Sequence, residues 1–197
     1  GAQAVSAARD VKRLSDVANT TPRTLQRWSA ATRTVGIDQE KLSDILKDVN
    51  DRIGDFQATG AGPMADFFEN IAPKVGVTAD QFERLSGPEA LQLYVSSLEK
   101  AGVSQQQMTF YMEAMASDAT LLLPLLRDNA TELDRLGDAA ENAGAVMSNE
   151  AVANLASAGE AADRTLDAYK GLRNEVAGAL APSFERLAES LQRTMQE

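Results

Sequence analysis

The chain has 197 residues, enough for one domain or one domain with an extension. It contains no His and no Cys, which excludes disulfides, thiolate metal sites, Ser-His-Asp triads and Cys-His nucleophiles. A formal net charge of -10 sets the chain as a whole against nucleic-acid phosphate, and no apolar run approaches the ~18 residues needed to cross a bilayer.

With 44% hydrophobic residues a core can form, and with only 5% aromatics it must be built mainly from Ala, Leu, Val and Met. No segment alternates with a period of two, so no strand is expected. Charge is uneven. Residues 1–35 carry Arg9, Lys12, Arg13, Arg23, Arg27 and Arg33 against Asp10 and Asp16, and the remainder is strongly acidic.

A first helix is expected over residues 3–18. Thr21-Pro22 then supplies an N-cap and a first helical residue. The helix that follows carries Leu25, Trp28 and Ala31 on one face and ends near Val35-Gly36, where glycine takes the left-handed cap. Asp38 caps a longer helix to about Gln57, with the stripe Leu42, Ile45, Leu46, Val49, Ile53 and Phe56. The sharpest break is Thr59-Gly60-Ala61-Gly62-Pro63. Pro63 begins a short helix bearing Met64, Phe67, Phe68 and Ile71, which ends near Pro73. Thr78, Ser86 and Ser104 open three more helices, and Asp118 is expected to cap a short apolar one that ends near Asp128. A polar helix over about 130–143 stops at Gly144.

Ser148-Asn149-Glu150 opens the last element. Val152, Leu155, Ala162, Leu166, Tyr169, Leu172, Val176 and Leu180 follow at intervals of three and four, and the row resumes at Phe184, Leu187, Leu191 and Met195. Pro182 between the two stretches is expected to kink or restart the helix. At 1.5 Å per residue it extends up to ~75 Å, and its apolar face must fold back on the body or find another chain.

One corner recurs. Val35-Gly36-Ile37-Asp38, Val75-Gly76-Val77-Thr78 and Ala101-Gly102-Val103-Ser104 each place a glycine stop, an apolar residue and an oxygen cap in sequence. The apolar residue is positioned to staple the new first turn. Their unequal spacing excludes a fixed-period solenoid. The expected fold is all-α: an array of short helices joined by Gly corners, then a long kinked C-terminal helix. The expected division is an N-terminal helix over 1–21, a compact module over 22–146 and the extended helix over 147–197.

Chemistry is sparse. Glu69, Glu83, Glu89, Glu99 and Glu113 are the central acids that a glycosidase-like or peptidoglycan-cleaving pair could use, but none lies in an apolar run. Gly60-Ala61-Gly62 lacks the strand and the Gly-Lys-Ser/Thr of a phosphate loop. Asp48, Asp51 and Asp55 do not follow the Ca²⁺-loop pattern. No cofactor and no metal site is expected, and the chain reads as a non-enzyme. The stretch from Thr21 to Trp28, with Arg23 and Arg27, has the look of a DNA-recognition helix. Its alternative reading turns Leu25 and Trp28 into the core and the arginines to water. Met108, Phe110, Tyr111, Met112 and Met115 read as core rather than as an adaptable binding face.

The strings TLQRWSAATRTVGIDQEKLSDILKDVNDRIGDF, GPMADFFENIAPKVGVTADQF and LSGPEALQLYVSSLEKAGVSQQQMTFYMEAMASDATLLLPLL succeed one another between Leu25 and Asp128. In that order they resemble phage tail tape-measure proteins of the long non-contractile-tail type, and the later ALAPSFERLAESL is similar to a continuation in such proteins. The resemblance implies a segment of a structural protein of a phage or prophage tail, acting in tail assembly, tail-length determination or genome ejection. It implies tail assembly chaperones and tube and tip proteins as partners, and a location in the tail lumen of the virion, after assembly in the host cytoplasm. It brings no catalytic residues. The surface expected to meet partners, including further copies of the chain, is Trp28 with Tyr169, Leu172, Val176, Leu180, Phe184, Leu187 and Leu191.

Overall fold

The computed structural model describes residues 1–194, and Met195, the last residue of the expected stripe, lies outside the described residues. Ten α-helices follow in order: α1 Ala2–Val17, α2 Pro22–Thr32, α3 Gln39–Thr59, α4 Ala65–Asn70, α5 Ala72–Val75, α6 Ala79–Phe82, α7 Gly87–Lys100, α8 Gln105–Met115, α9 Leu123–Asn142 and α10 Asn149–Thr194. Two 3₁₀ turns, Arg33–Val35 and Ala119–Leu122, complete the helical elements, and no strand occurs among the described residues.

Most boundaries follow from local chemistry. Thr21 accepts a hydrogen bond from the Thr24 backbone N–H, and Asp38 accepts one from the Lys41 N–H at 2.8 Å. Ser86 with Glu89 and Ser104 with Gln107 form reciprocal capping boxes, each satisfying two backbone donors that the helix start leaves unpaired. At the three repeated corners Gly36, Gly76 and Gly102 have φ of +80°, +70° and +67°, a region open to glycine at little cost. The residue after each glycine packs inward: Ile37 is buried, and Val77 and Val103 lie against the core.

Two starts differ from expectation. Asp118 makes no capping bond; its carboxylate instead pairs with Lys41 on α3, tying the α8–α9 turn to the body. Pro73 does not close a helix but opens α5, where its missing N–H costs nothing.

A single core binds α1–α9. Leu25, Leu42, Leu46, Phe67, Leu91, Tyr94, Leu98, Met112 and Leu126 are fully buried within it. Each aliphatic side chain so buried contributes about 1.5–3 kcal/mol of transfer free energy. Leu14 of α1 and Ala18 at its C-cap belong to the same core, so the N-terminal helix is part of the body and not a separate segment ending at residue 21. A second, smaller cluster joins Ala8 and Val11 of α1 to Val152 of α10, with Met147 and Leu155 packed on it. Val5 lies against Gly159, where a Cβ would come within 2.4 Å of the valine methyl. Residue 5 near 159 and residues 8 and 11 near 152 make α1 antiparallel to the first three turns of α10.

Residues 127–130 break α9. Asp128, Asn129 and Ala130 have φ of +53°, +57° and +59°, a left-handed turn that splits the apolar half, with Leu125 and Leu126, from the polar half that ends at Asn142. Neighbours hold the turn: the Asp128 N–H donates to Glu99 and the Gln92 amide donates to the Asn129 carbonyl, both at 3.3 Å.

Candidate interaction surface

Two faces of the molecule were candidates from sequence: the helix at Thr21 and the terminal helix. The first is closed. Trp28 is only 6% exposed and lies in the core beside Leu25, so it is not part of an interaction surface. The reason is its spacing: Leu25, Trp28, Ala31 and Thr32 share one helical face, and α9 packs over α2. Arg23 and Arg27 turn away from that face but are not free. Arg23 Nε donates to Glu141 at 2.6 Å, while Arg27 bridges Glu141 and Asp138 on α9. The hydrogen bond from Arg23, followed by that from Arg27, holds the Glu141 carboxyl below the usual carboxylate range. The bond to Asp138 is the largest influence raising the Arg27 guanidinium.

The same helix anchors the start of α10. Gln26 donates to the Met147 carbonyl at 3.0 Å and accepts the Met147 N–H at 2.9 Å. Asn149 accepts the Arg23 backbone N–H at 2.8 Å, and Ser148 accepts the Ala151 N–H at 3.1 Å. The three contacts from α2 thus fix the direction in which α10 leaves, and Ser148 caps its first turn.

The terminal helix is the open face. Its first turns bury Val152 and Ala156 against α1, and Arg9 meets Asp163 at 2.7 Å. From Glu160 to Arg193 every residue is exposed. The expected row stands out in this shaft: Tyr169 is 64% exposed, Leu180 48% and Phe184 66%, with Leu172, Val176, Leu187 and Leu191 between these values. Leu166, at 50%, extends the row toward the body. The helix continues through Pro182 without a restart. The carbonyl that Pro182 leaves unbonded belongs to Gly178, an exposed residue where water can satisfy it.

The register is regular. Val152, Gly159, Leu166, Arg173, Leu180 and Leu187 recur every seven residues, and Leu155, Ala162, Tyr169, Val176, Ser183 and Ser190 follow three positions behind. α1 covers the start of these rows; beyond Asp163 they hold Leu166, Tyr169, Val176, Leu180 and Leu187 but also Arg173, Ser183 and Ser190, while Leu172, Phe184 and Leu191 lie outside them. The boundary between body and extension therefore falls inside α10, near Asp163, and not at residue 147.

Sequence reasoning missed three exposed apolar side chains on the body, Val17 (41%), Phe110 (53%) and Leu121 (50%). Phe110 was grouped with the buried Met108, Tyr111, Met112 and Met115, yet it lies off the face those four define. Glu69, Glu83, Glu89 and Glu113 are exposed; Glu89 serves the Ser86 capping box and Glu99 the left-handed turn. No group of three or more carboxylates is placed to hold a metal ion among the described residues.

Comparison with protein-family models, curated proteins and solved structures finds no match for this chain.

Proposed function

We propose that the chain is a segment of a phage-tail tape-measure protein, a structural component in which a folded helical body carries an extended helical shaft. The single observation that carries the reading is the shaft: α10 leaves the body near Asp163 and continues as one helix whose apolar side chains from Leu166 to Leu191 are exposed. A protein that sets the length of a tube needs a rigid element of fixed rise per residue, and an α-helix supplies 1.5 Å for each. The ordered resemblance of the strings between Leu25 and Asp128 supports the same reading. On this view the body is a docking module for tail assembly chaperones or tube and tip proteins, and the shaft is the extended part. The chain then lies in the tail lumen of the virion.

Purified tails of the phage or prophage that encodes this chain test the reading. Its peptides are expected in a mass-spectrometric digest of the tails, and their absence from tails that assemble normally would refute it. Against the regulator reading stands the pairing of Arg23 and Arg27 with Glu141 and Asp138. DNA binding at low salt, abolished by Arg23→Ala with Arg27→Ala, would restore it.

A further inference from the structure

We propose that residues 131–194 form an exchangeable arm: two copies of this chain swap it, each arm packing on α1 and α2 of the other copy, while α9 straightens into one helix. The inference rests on the turn at 127–130 and not on the tail reading.

The turn sits badly on its residues. Asp128, Asn129 and Ala130 occupy the left-handed region in succession, with φ of +53°, +57° and +59°. Asparagine and aspartate visit that region as single residues, and a run of three without a glycine is strained. Ala130, whose side chain can make no compensating hydrogen bond, is fully buried there. The bonds from neighbours that hold the turn are exposed: the Asp128 N–H on Glu99, and the Gln92 amide on the Asn129 carbonyl.

The residues on either side suit a straight helix. Leu123, Leu126, Ala130, Leu133 and Gly137 follow at intervals of three and four, in phase across the break, and all are buried. Leu125 and Leu136 lie to one side of that row. In a right-handed helix from Leu123 to Asn142 the row forms one face. Neither glycine nor proline stands between Leu125 and Leu136 to oppose it.

A straight α9 carries the arm away from its own body, so its contacts must be made on another. Arg27 pairs with Asp138 and Glu141, Gln26 clamps Met147, and Val152 packs on Ala8 and Val11. The arm's partners in these contacts lie on α1 and α2, and a second copy offers the identical face. Exchange therefore keeps the arm's contacts and removes two left-handed turns, at the cost of one chain's freedom. Closure within one chain wins at low concentration, and exchange wins at high concentration. The shaft keeps its seat on α1 in either case, and both shafts point the same way when the two-fold axis runs along them.

Disulfide trapping reads the exchange, since the chain has no cysteine of its own. A Cβ at Gly137 would lie 3.3 Å from that of Arg27, close to the ~3.8 Å that a disulfide spans. Chains carrying Arg27→Cys with Gly137→Cys are refolded at high and at low concentration and oxidised. Covalent dimers with 27–137 bridges are expected at high concentration, and internally bridged monomers at low. Internal bridges alone at both concentrations, or dimers bridged 27–27 or 137–137, overturn the proposal. Hinge variants free of cysteine give a second reading by sedimentation equilibrium. Asp128→Ala with Asn129→Ala is expected to raise the association constant about tenfold or more, because alanine resists the left-handed region. Asp128→Gly with Asn129→Gly is expected to lower it, because glycine accepts the turn. Equal association by the two variants, or none by either, overturns the proposal.

Discussion

Gln26 holds Met147 from both sides, donating to its carbonyl at 3.0 Å and accepting its N–H at 2.9 Å, although 121 residues separate them. This pair is the main backbone clamp between α2 and the loop that launches α10. Gln26→Ala leaves two backbone groups of a part-buried loop without partners, each costing about 1–3 kcal/mol when fully buried. A loss of about 1–3 kcal/mol in urea unfolding is expected. A change under about 0.5 kcal/mol, usual for a surface site, would show that the clamp is not needed.

Tyr94 offers a parallel case in the core. Its buried hydroxyl donates to the Tyr111 carbonyl at 2.6 Å, and burial pushes the phenol pKa far up, so it stays a neutral donor. Tyr94→Phe keeps the ring against Phe67 but removes this buried hydrogen bond. A cost of about 1–2 kcal/mol is expected in chemical denaturation. An unchanged midpoint would mean that the carbonyl finds another donor.

The left-handed turn at 128–130 gives a test of backbone geometry at an exposed site. Asn129 is exposed with φ of +57°, a conformation that asparagine tolerates and β-branched residues resist. Asn129→Val is expected to cost about 1–2 kcal/mol, while Asn129→Gly holds stability or raises it. Equal melting temperatures for the two variants would contradict the turn.

Acid stability should report on Glu141. Its folded pKa lies below the ordinary 4.5, first through the hydrogen bond from Arg23 and then through that from Arg27. A lowered folded value means stability that is complete above the unfolded pKa and is lost as pH falls through the folded one. Glu141→Gln should therefore be less stable than wild type at pH 7, and the two curves should converge toward pH 3. Urea midpoints measured across that range decide it: a gap of constant size would leave the ion cluster without a role.

Much of the fold was legible in the residues. Thr21, Asp38, Ser86 and Ser104 are oxygen caps that act within three residues, and Gly36, Gly76 and Gly102 stop helices by backbone freedom alone, so the local sequence suffices. What failed depends on distant contacts. Asp118 was free to cap, but Lys41, remote in sequence, claims its carboxylate. Leu14 and Ala18 join the main core only because α2 and α3 pass beside α1. Trp28 was placed with the partner surface, while its spacing from Leu25 gave the alternative core-facing reading that the structure shows. The exposed shaft was legible as a row of threes and fours, but the point where α1 stops covering it, at Asp163, was not.

The most direct test of the tail reading is tail length. In the encoding phage, an in-frame deletion of residues 164–191 removes four heptads of the shaft and leaves the body intact. Tails shorter by about 42 Å, at 1.5 Å for each residue removed, are the expected result in electron micrographs. Infectious particles with tails of unchanged length would contradict the account.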